Sequence, residues 1–420
     1  MEIEKNSIPV VLITKAFPFN VLKAPAENYL INEIYYLAEL FSTIYVISTD
    51  SNKDDEITVK LPANVIAINA SEGTFKRKVN LVVLSAKHFF DFKTYEFQKL
   101  GVKKRVKYAF FRGKSDYYYR MLNKHFVMKE YVNSEQSLLL YTFWFYTYTL
   151  AALMLKEKKY CNAITVTRAH GYDLYSERNA LNYLPLREYL LGNIDKVFTC
   201  SQNGQKYLSA KYSQYNNKIA TAYLGSEDHG VKKYESEGVF TIVSCSRVES
   251  VKRVELLAET IVYLHKNGKK IRWLHIGDGT QFNNIKQIVK RQIDLEVVYL
   301  YGAIDNEKIY EIYKSEKVDL FVNVSESEGL PISIMEACSV GLPILATDVG
   351  GVSEIVDDNN GWLLPVDINS EQLALEIIKI SALPKELLQA KGEFSRKKWE
   401  TNFCIENNLK QMIWGILNEK

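Results

Sequence analysis

The sequence predicts an α/β protein made of two successive halves, each with a parallel sheet, and three observations carry that prediction. Apolar runs of strand length recur along the chain, separated by stretches with helical apolar spacing, which is the signature of βαβ units. The alternation breaks at the polar, glycine-containing segment 225–238 and then restarts. The chain has 420 residues, too many for one ordinary core, so two domains are the default.

In order along the chain, the apolar run 8–14 reads as the first strand. Phe17-Pro18-Phe19-Asn20 breaks it, and helical spacing follows at Leu30, Ile34, Leu37 and Phe41. Residues 43–48 give the next strand, so a βαβ unit with parallel strands is complete. A short extended piece spans 61–68. The charge-free stretch 136–155 approaches the length of a membrane span, but its many Thr and Tyr residues make it poorly lipophilic. It reads instead as a buried strand followed by a buried helix. Strand 161–167 empties into Arg168-Ala169-His170-Gly171-Tyr172-Asp173. A helix over 186–191, a strand over 196–200 and a helix capped by Ser201 lead to the closing run 219–224. In the second half, strands are predicted over 239–246, 270–276, 297–302, 318–324 and 343–347. Helices are predicted over 254–263, 282–292 and 307–315.

Composition narrows the function classes. With 47% hydrophobic and 25% charged residues the chain matches a soluble globular protein. A net charge of only +3 gives no global signature for polyanion binding. The five cysteines are scattered and form no CxxC pair, so neither a metal knuckle nor a disulfide framework is expected, and a reducing cytoplasm fits. The acidic start at Met1-Glu2-Ile3-Glu4 argues against a signal peptide.

Residues 75–132 differ from the rest. Lys76-Arg77-Lys78, Lys87, Lys93, Lys99, Lys103-Lys104-Arg105, Lys107, Arg112, Lys114 and Arg120 interleave with Phe89-Phe90, Phe92, Tyr108, Phe110-Phe111 and Tyr117-Tyr118-Tyr119. Such interleaving suits helices lying on an anionic membrane surface, and it also occurs in nucleic-acid binders. The plain alternative is a solvated helical face over a core. An anionic membrane surface meeting 75–120 is the expected partner here, and nucleic acid is not.

The chemistry concentrates after strand 318–324. A polar loop, Ser325-Glu326-Ser327-Glu328, runs into Gly329-Leu330-Pro331 and an apolar-faced helix that Gly341 stops. Pro331 suits a first helical turn, where its missing N–H costs nothing. The amides of Gly329, Leu330, Ile332 and Ser333 would cluster at the helix start, an anion site by geometry and dipole. Glu328 and Glu336 bracket it. Carboxylates beside an anion site are expected to accept from hydroxyls, and hydroxyls plus an anion suggest a sugar nucleotide. Arg247 and Lys252 follow a strand directly, where ligands sit in parallel sheets, and a cation pair there suits a diphosphate. His170 is also at a strand end. Gly277-Asp278-Gly279 would let backbone approach a base or ribose, although a plain turn is an equal reading. No Asp-x-Asp pair stands at a strand end, so no bound metal is expected.

Several of these motifs together resemble glycosyltransferase family 4, the glycosyl transferases of group 1. Glu328 to Ala337 is similar to that family's E-x7-E motif, and Arg247 to Lys252 to its R-x4-K clamp. Ile276-Gly277-Asp278-Gly279, Tyr301-Gly302 and Asp348-Val349-Gly350-Gly351 followed by Gly361 fall in its usual order. The resemblance is dense in the second half and sparse in the first. It implies a GT-B fold: two Rossmann-like domains with a central cleft, and a C-terminal helix, 399–417, crossing back to the first. The expected domains are 1–230, with 401–420 packing on it, as the acceptor side, and 231–400 as the donor side.

The resemblance also implies roles. Glu336 would hold ribose hydroxyls and Glu328 the transferred sugar. Arg247 and Lys252 would neutralise the diphosphate, and the Gly329, Leu330, Pro331 and Ile332 segment would face sugar and phosphate. Gly277 and Gly279 would line the nucleotide site, and His170 would stand near sugar and acceptor. The family's Gly-Gly loop after the first strand is absent, with Phe17-Pro18-Phe19-Asn20 and Lys23-Ala24-Pro25-Ala26-Glu27 in its place, which points to an acceptor-specific loop. The activity so implied is retaining transfer from a UDP- or GDP-sugar to a saccharide acceptor, lipid-linked, in capsule, exopolysaccharide or lipopolysaccharide synthesis. The donor is a substrate, and no cofactor is expected. The location so implied is cytoplasmic, peripheral on the inner face of the membrane. The rival readings are a sugar-nucleotide 2-epimerase of the same fold and a noncatalytic partner of another transferase.

Overall fold

A computed structural model describes residues 6–19, 27, 29–91, 93–125, 137–233, 238–292 and 297–418. Asn20, Lys23 to Ala26, Phe92, Gln136 and Tyr234 to Glu237, which figure in the sequence reading, lie outside these residues. The chain divides into two compact units, Met1–Ala222 with Leu409–Lys420, and Tyr223–Asn408.

The first unit is built on seven parallel strands: β1 (Val10–Thr14), β2 (Ile44–Ser48), β3 (Val65–Asn69), β4 (Leu139–Thr142), β5 (Ile164–Ala169), β6 (Lys196–Thr199) and β7 (Ile219–Thr221). Their order is β3-β2-β1-β4-β5-β6-β7. Strands β1, β2 and β4 are buried throughout, which explains why they read as unbroken apolar runs rather than as alternation. The uncharged stretch after residue 137 is β4 followed by the helix Thr147–Lys159, most of it buried.

The basic-aromatic region forms three helices, Thr74–His88, Tyr95–Gln98 and Val102–Lys124. Their inner faces bury Phe97, Tyr108, Phe111, Tyr117, Tyr118 and Leu122. The first and third pack so closely that a Cβ on Gly113 would lie 2.4 Å from the Ser85 amide nitrogen. Their outer faces leave large apolar groups in solvent, with Phe75 83% and Phe90 71% exposed.

The second unit carries β8 (Thr241–Cys245), β9 (Arg272–Ile276), β10 (Val298–Gly302), β11 (Leu320–Asn323), β12 (Ile344–Thr347) and β13 (Gly361–Leu364). They are parallel, in the order β10-β9-β8-β11-β12-β13. Both sheets therefore have the doubly wound Rossmann order, with the winding reversing between β1 and β4 and between β8 and β11. Two apolar clusters, one containing Trp273 and one containing Trp399, hold the second unit together.

Segment 225–233 is tied into the second unit. Ser226 bridges Cys404, its Oγ accepts from Trp399 Nε1 at 2.7 Å, and the buried Lys232 donates to the Val318 carbonyl. The same bridge explains a departure from expectation: the predicted final helix is two helices, Lys385–Asn402 and Ile405–Asn418. Ser226 exchanges backbone bonds with Phe403 and Ile405, which takes the chain out of the helix there. In the first unit, Met412 of the last helix meets Arg168, which forms a fully buried ion pair with Glu33.

Candidate active site

In open parallel sheets, ligands bind beyond the carboxyl ends of the strands where the winding reverses. In the second unit that point lies between β8 and β11, and the sequence-selected residues gather there. Strand β8 leads to Arg247 and, after one 3-10 turn, to Lys252; β11 leads through Ser325 to Glu328. The Glu326 amide donates to the Val251 carbonyl at 2.8 Å, pinning the two loops side by side. Lys252 Nζ then stands 2.7 Å from both oxygens of Glu328, and Asn323 Nδ2 lies 3.3 Å from Oε1. Glu328 is buried, whereas Arg247 is exposed.

The loop around Glu328 is braced from three sides. Thr347 Oγ1 donates to the Ser325 carbonyl at 2.6 Å. Arg253, held at φ +49°, donates from Nε to the Val324 carbonyl at 2.7 Å. The Gly351 amide donates to the Gly329 carbonyl at 2.7 Å. Next to it, Gly350 has φ +60°, and a Cβ there would lie 2.0 Å from the Glu328 carbonyl oxygen, so only glycine allows this approach.

Pro331 is the N-cap of the helix Ile332–Ser339, one residue ahead of the first turn. That helix start leaves the Ile332 and Ser333 amides without intrahelical acceptors. Glu336 lies one turn on and is buried. Burial pushes its carboxyl up to about 7, against a smaller lowering by the Asn306 hydrogen bond. Gly277 and Gly279 serve the protein's own packing: a Cβ at either would lie 1.9 Å from the Ser246 carbonyl or 2.6 Å from that of Val248. They close the loop after β9 onto the loop after β8.

His170 is not among these residues; it belongs to the first unit, at the end of β5. Its ring packs against Phe143 and Trp144, with centroids at 4.6 and 4.7 Å. Asp173 Oδ2 is 3.8 Å from Nδ1, and the Asp173 carboxylate also takes the His170 and Phe145 amides. Burial lowers the imidazole's pKa, but the Cys200 thiol and the Asp173 carboxylate outweigh it and the net shift is upward.

Sequence reasoning did not assign Glu27. It is fully buried and accepts from the amides of Lys15, Ala16 and Phe17 and from Trp144 Nε1 at 2.7–2.9 Å. It thus joins the ends of β1 and β4 at the reversal point of the first sheet. Its place in the segment that substitutes for a Gly-Gly loop was the available signal. Asn323, Asn306 and Arg253 were likewise missed, since polar side chains at strand and helix ends are too common to single out.

The family model for glycosyl transferases group 1 matches residues 226–398. The second unit is thus similar to the glycosyl transferases of group 1 over most of its length. A UDP-N-acetylglucosamine–peptide N-acetylglucosaminyltransferase GtfA subunit from Streptococcus pneumoniae is 28% identical over 48% of this chain and 41% of its own length. The O-antigen biosynthesis glycosyltransferase WbnH from Escherichia coli is 30% identical over 37% of this chain and 43% of its own. The chain thus spans about two fifths of the length of these curated relatives. A glycosyltransferase structure from Rickettsia africae superposes with a TM-score of 0.67 at 16% identity, covering 99% of this chain and all of that one. That likeness gives the fold, GT-B, and matches the two Rossmann-like sheets. No helix among the described residues is long and apolar enough to cross a membrane.

Proposed function

We propose that this chain is a group 1 glycosyltransferase that moves a sugar from a UDP- or GDP-sugar to a saccharide acceptor, lipid-linked, in the synthesis of a bacterial surface polysaccharide. The observation that carries the reading is the Lys252–Glu328 pair at the reversal point of the second sheet, with the buried Glu336 in the first turns of the helix that follows the Glu328 loop. Glu336 takes the ribose hydroxyls and Glu328 the transferred sugar. Lys252 and Arg247 offset the diphosphate, aided by the amides from Gly329 to Ile332. The pairing of Lys252 with Glu328 fits this division: the lysine meets the phosphate on one side and orients the carboxylate on the other. A donor with both a sugar and a diphosphate spans such a pair.

Transfer breaks the bond from the anomeric carbon to the phosphate oxygen and forms one to the acceptor oxygen. Retention follows if both lie on one face, with the leaving phosphate oxygen accepting the acceptor's proton. The developing charge on that phosphate falls to Lys252, Arg247 and the helix amides, and loss of one such preorganised donor typically costs about 10²–10³ in rate. His170 stands on the acceptor side. The outer faces of the helices Thr74–His88 and Val102–Lys124 dock the enzyme on an anionic membrane surface, where a lipid-linked acceptor would be found.

The test is nucleotide release from a panel of UDP-, GDP- and ADP-sugars, with and without lipid-linked saccharides. Acceptor-stimulated release is expected, with a loss of about 10² or more in Lys252→Ala and Glu328→Ala. Free sugar with no acceptor dependence would mean the epimerase, and no turnover with any donor a binding partner. The streptococcal relative's name specifies a peptide, so a peptide arm distinguishes that acceptor. Unchanged rates in both variants overturn the site assignment.

A further inference from the structure

The first unit holds a cavity of about 380 Å³ that none of these roles uses. It lies beside the segment between β5 and the helix Arg187–Asn193, with Tyr183, Tyr207 and Tyr212 in its walls. Tyrosine rings offer flat faces to the C–H side of a pyranose and hydroxyls to its rim.

The lining also carries three cations, Lys99, Arg187 and Lys211. Arg187 is 4% exposed. Its two terminal nitrogens donate to the carbonyls of Phe145 and Asp173, and its Nε has no partner. Carbonyls accept hydrogen bonds but carry no net charge, so this buried guanidinium makes no direct bond to a carboxylate and feels Asp173 only through space. The Asp173 carboxylate is occupied by two amides. Burial lowers the Arg187 pKa to about 10, with Asp173 opposing, so the group is still charged at neutral pH. Lys211 donates to the Ser176 hydroxyl at 2.8 Å, lies over the Tyr207 ring and feels the nearby Glu177 carboxylate; Lys99 lies 3.9 Å over the Tyr95 ring. The acids in the wall are already engaged: Glu96 accepts from Tyr183 and Leu186, and Glu188 from Gln214.

The backbone adds an independent sign. Leu181, Asn182 and Leu186 have φ of 66°, 46° and 56°, and Asn182 is in the wall. Such conformations cost energy in non-glycine residues and cluster at ligand clamps.

We infer that this cavity binds an anionic pyranose, a sugar bearing a carboxylate or a phosphate ester, as one residue of the acceptor saccharide; the word acceptor rests on the transferase reading, the binding does not. The full chain is titrated calorimetrically with glucuronic acid, glucose 6-phosphate, glucose and inorganic phosphate. One or both anionic sugars should bind at least about 10-fold tighter than glucose, since hydrogen bonds to charged groups are the stronger kind. Which of the two binds tells a uronic acid from a sugar phosphate. The variant Lys99→Ala/Lys211→Ala, altered only at exposed positions, should lose about 10-fold in that affinity with an unchanged melting temperature. Anionic sugars no tighter than glucose, inorganic phosphate as tight as the sugars, or a double variant that binds like the parent would each overturn the inference. Nucleotide release from donor sugars is measured on the same samples. Normal release without sugar binding defeats the cavity alone, and sugar binding without release defeats the transferase reading alone.

Discussion

Glu336 shows what burying a carboxyl costs the fold, and the ribose role proposed for it would offset that cost. Its carboxyl is buried on the helix Ile332–Ser339, and desolvation lifts its pKa to about 7 from 4.5, with the Asn306 hydrogen bond opposing. The folded state therefore prefers the protonated acid. That preference contributes stability below the unfolded value and is lost as pH rises through about 7. Above that range the fold carries a desolvated charge, which ribose hydroxyls would satisfy. Glu336→Gln removes the titration. Its melting temperature should exceed the parent's at about pH 8, by the equivalent of about 1–3 kcal/mol, and match it at about pH 4. The same variant should bind UDP at least about tenfold more weakly at the higher pH. Melting curves at both pH values and a UDP titration check this; superimposable pH profiles for the two proteins would sink it.

At the scale of elements, the loops that end the strands matter most, and Glu27 controls two of them. One carboxylate satisfies three consecutive amides after β1 and the indole N–H after β4. A glutamine offers a single acceptor oxygen and turns an N–H₂ toward these donors. Glu27→Gln should therefore destabilise the chain by about 1–3 kcal/mol, the cost of stranded buried donors. It should lower acceptor-dependent transfer while leaving UDP affinity unchanged, because the residues proposed to hold the nucleotide belong to the other unit. A variant with parental stability and transfer would remove Glu27 from that role. This residue also marks where sequence reading stops. The central strands were legible because parallel strands buried on both faces are continuous apolar runs. The Lys252 and Glu328 positions were legible through motif spacing. Glu27 was not, because Trp144 and the three amides reach it only through the fold, and Trp144 is 117 residues away in sequence. Gly277 was found with two readings, a ligand approach and a plain turn, since a glycine admits a ligand and a neighbouring backbone equally well on paper, and the structure shows the close backbone neighbour. The break at Phe403 was hidden for the same cause: Ser226, which makes it, lies far upstream.

The whole molecule is nearly neutral, yet its charge is segregated. Residues 74–124 hold fourteen lysines and arginines against three acids, so with a total of +3 the remainder of the chain is acidic by eight. The inner faces of these helices bury their aromatics, as the plain core reading expects, and the outer faces do not. Phe75, Val82, Phe90, Val102, Val106 and Phe110 are more than half exposed, and exposed lysines such as Lys78, Lys87 and Lys103 share the surface. Between the two long helices, Val82, Ala86, Phe89, Phe90, Val106 and Phe110 line an open apolar groove. Apolar groups ringed by lysine match a bilayer interface of anionic lipid, where each basic residue near the surface contributes about 1 kcal/mol. The chain should sediment with vesicles containing phosphatidylglycerol and not with purely zwitterionic ones, and binding should weaken as salt rises. Lys76→Glu/Lys78→Glu/Lys87→Glu should abolish that binding with donor turnover intact. Phe75→Ser/Phe90→Ser should leave a weaker attachment that salt removes completely. Equal binding to both vesicle types, or to neither, would show that this face does not meet a membrane.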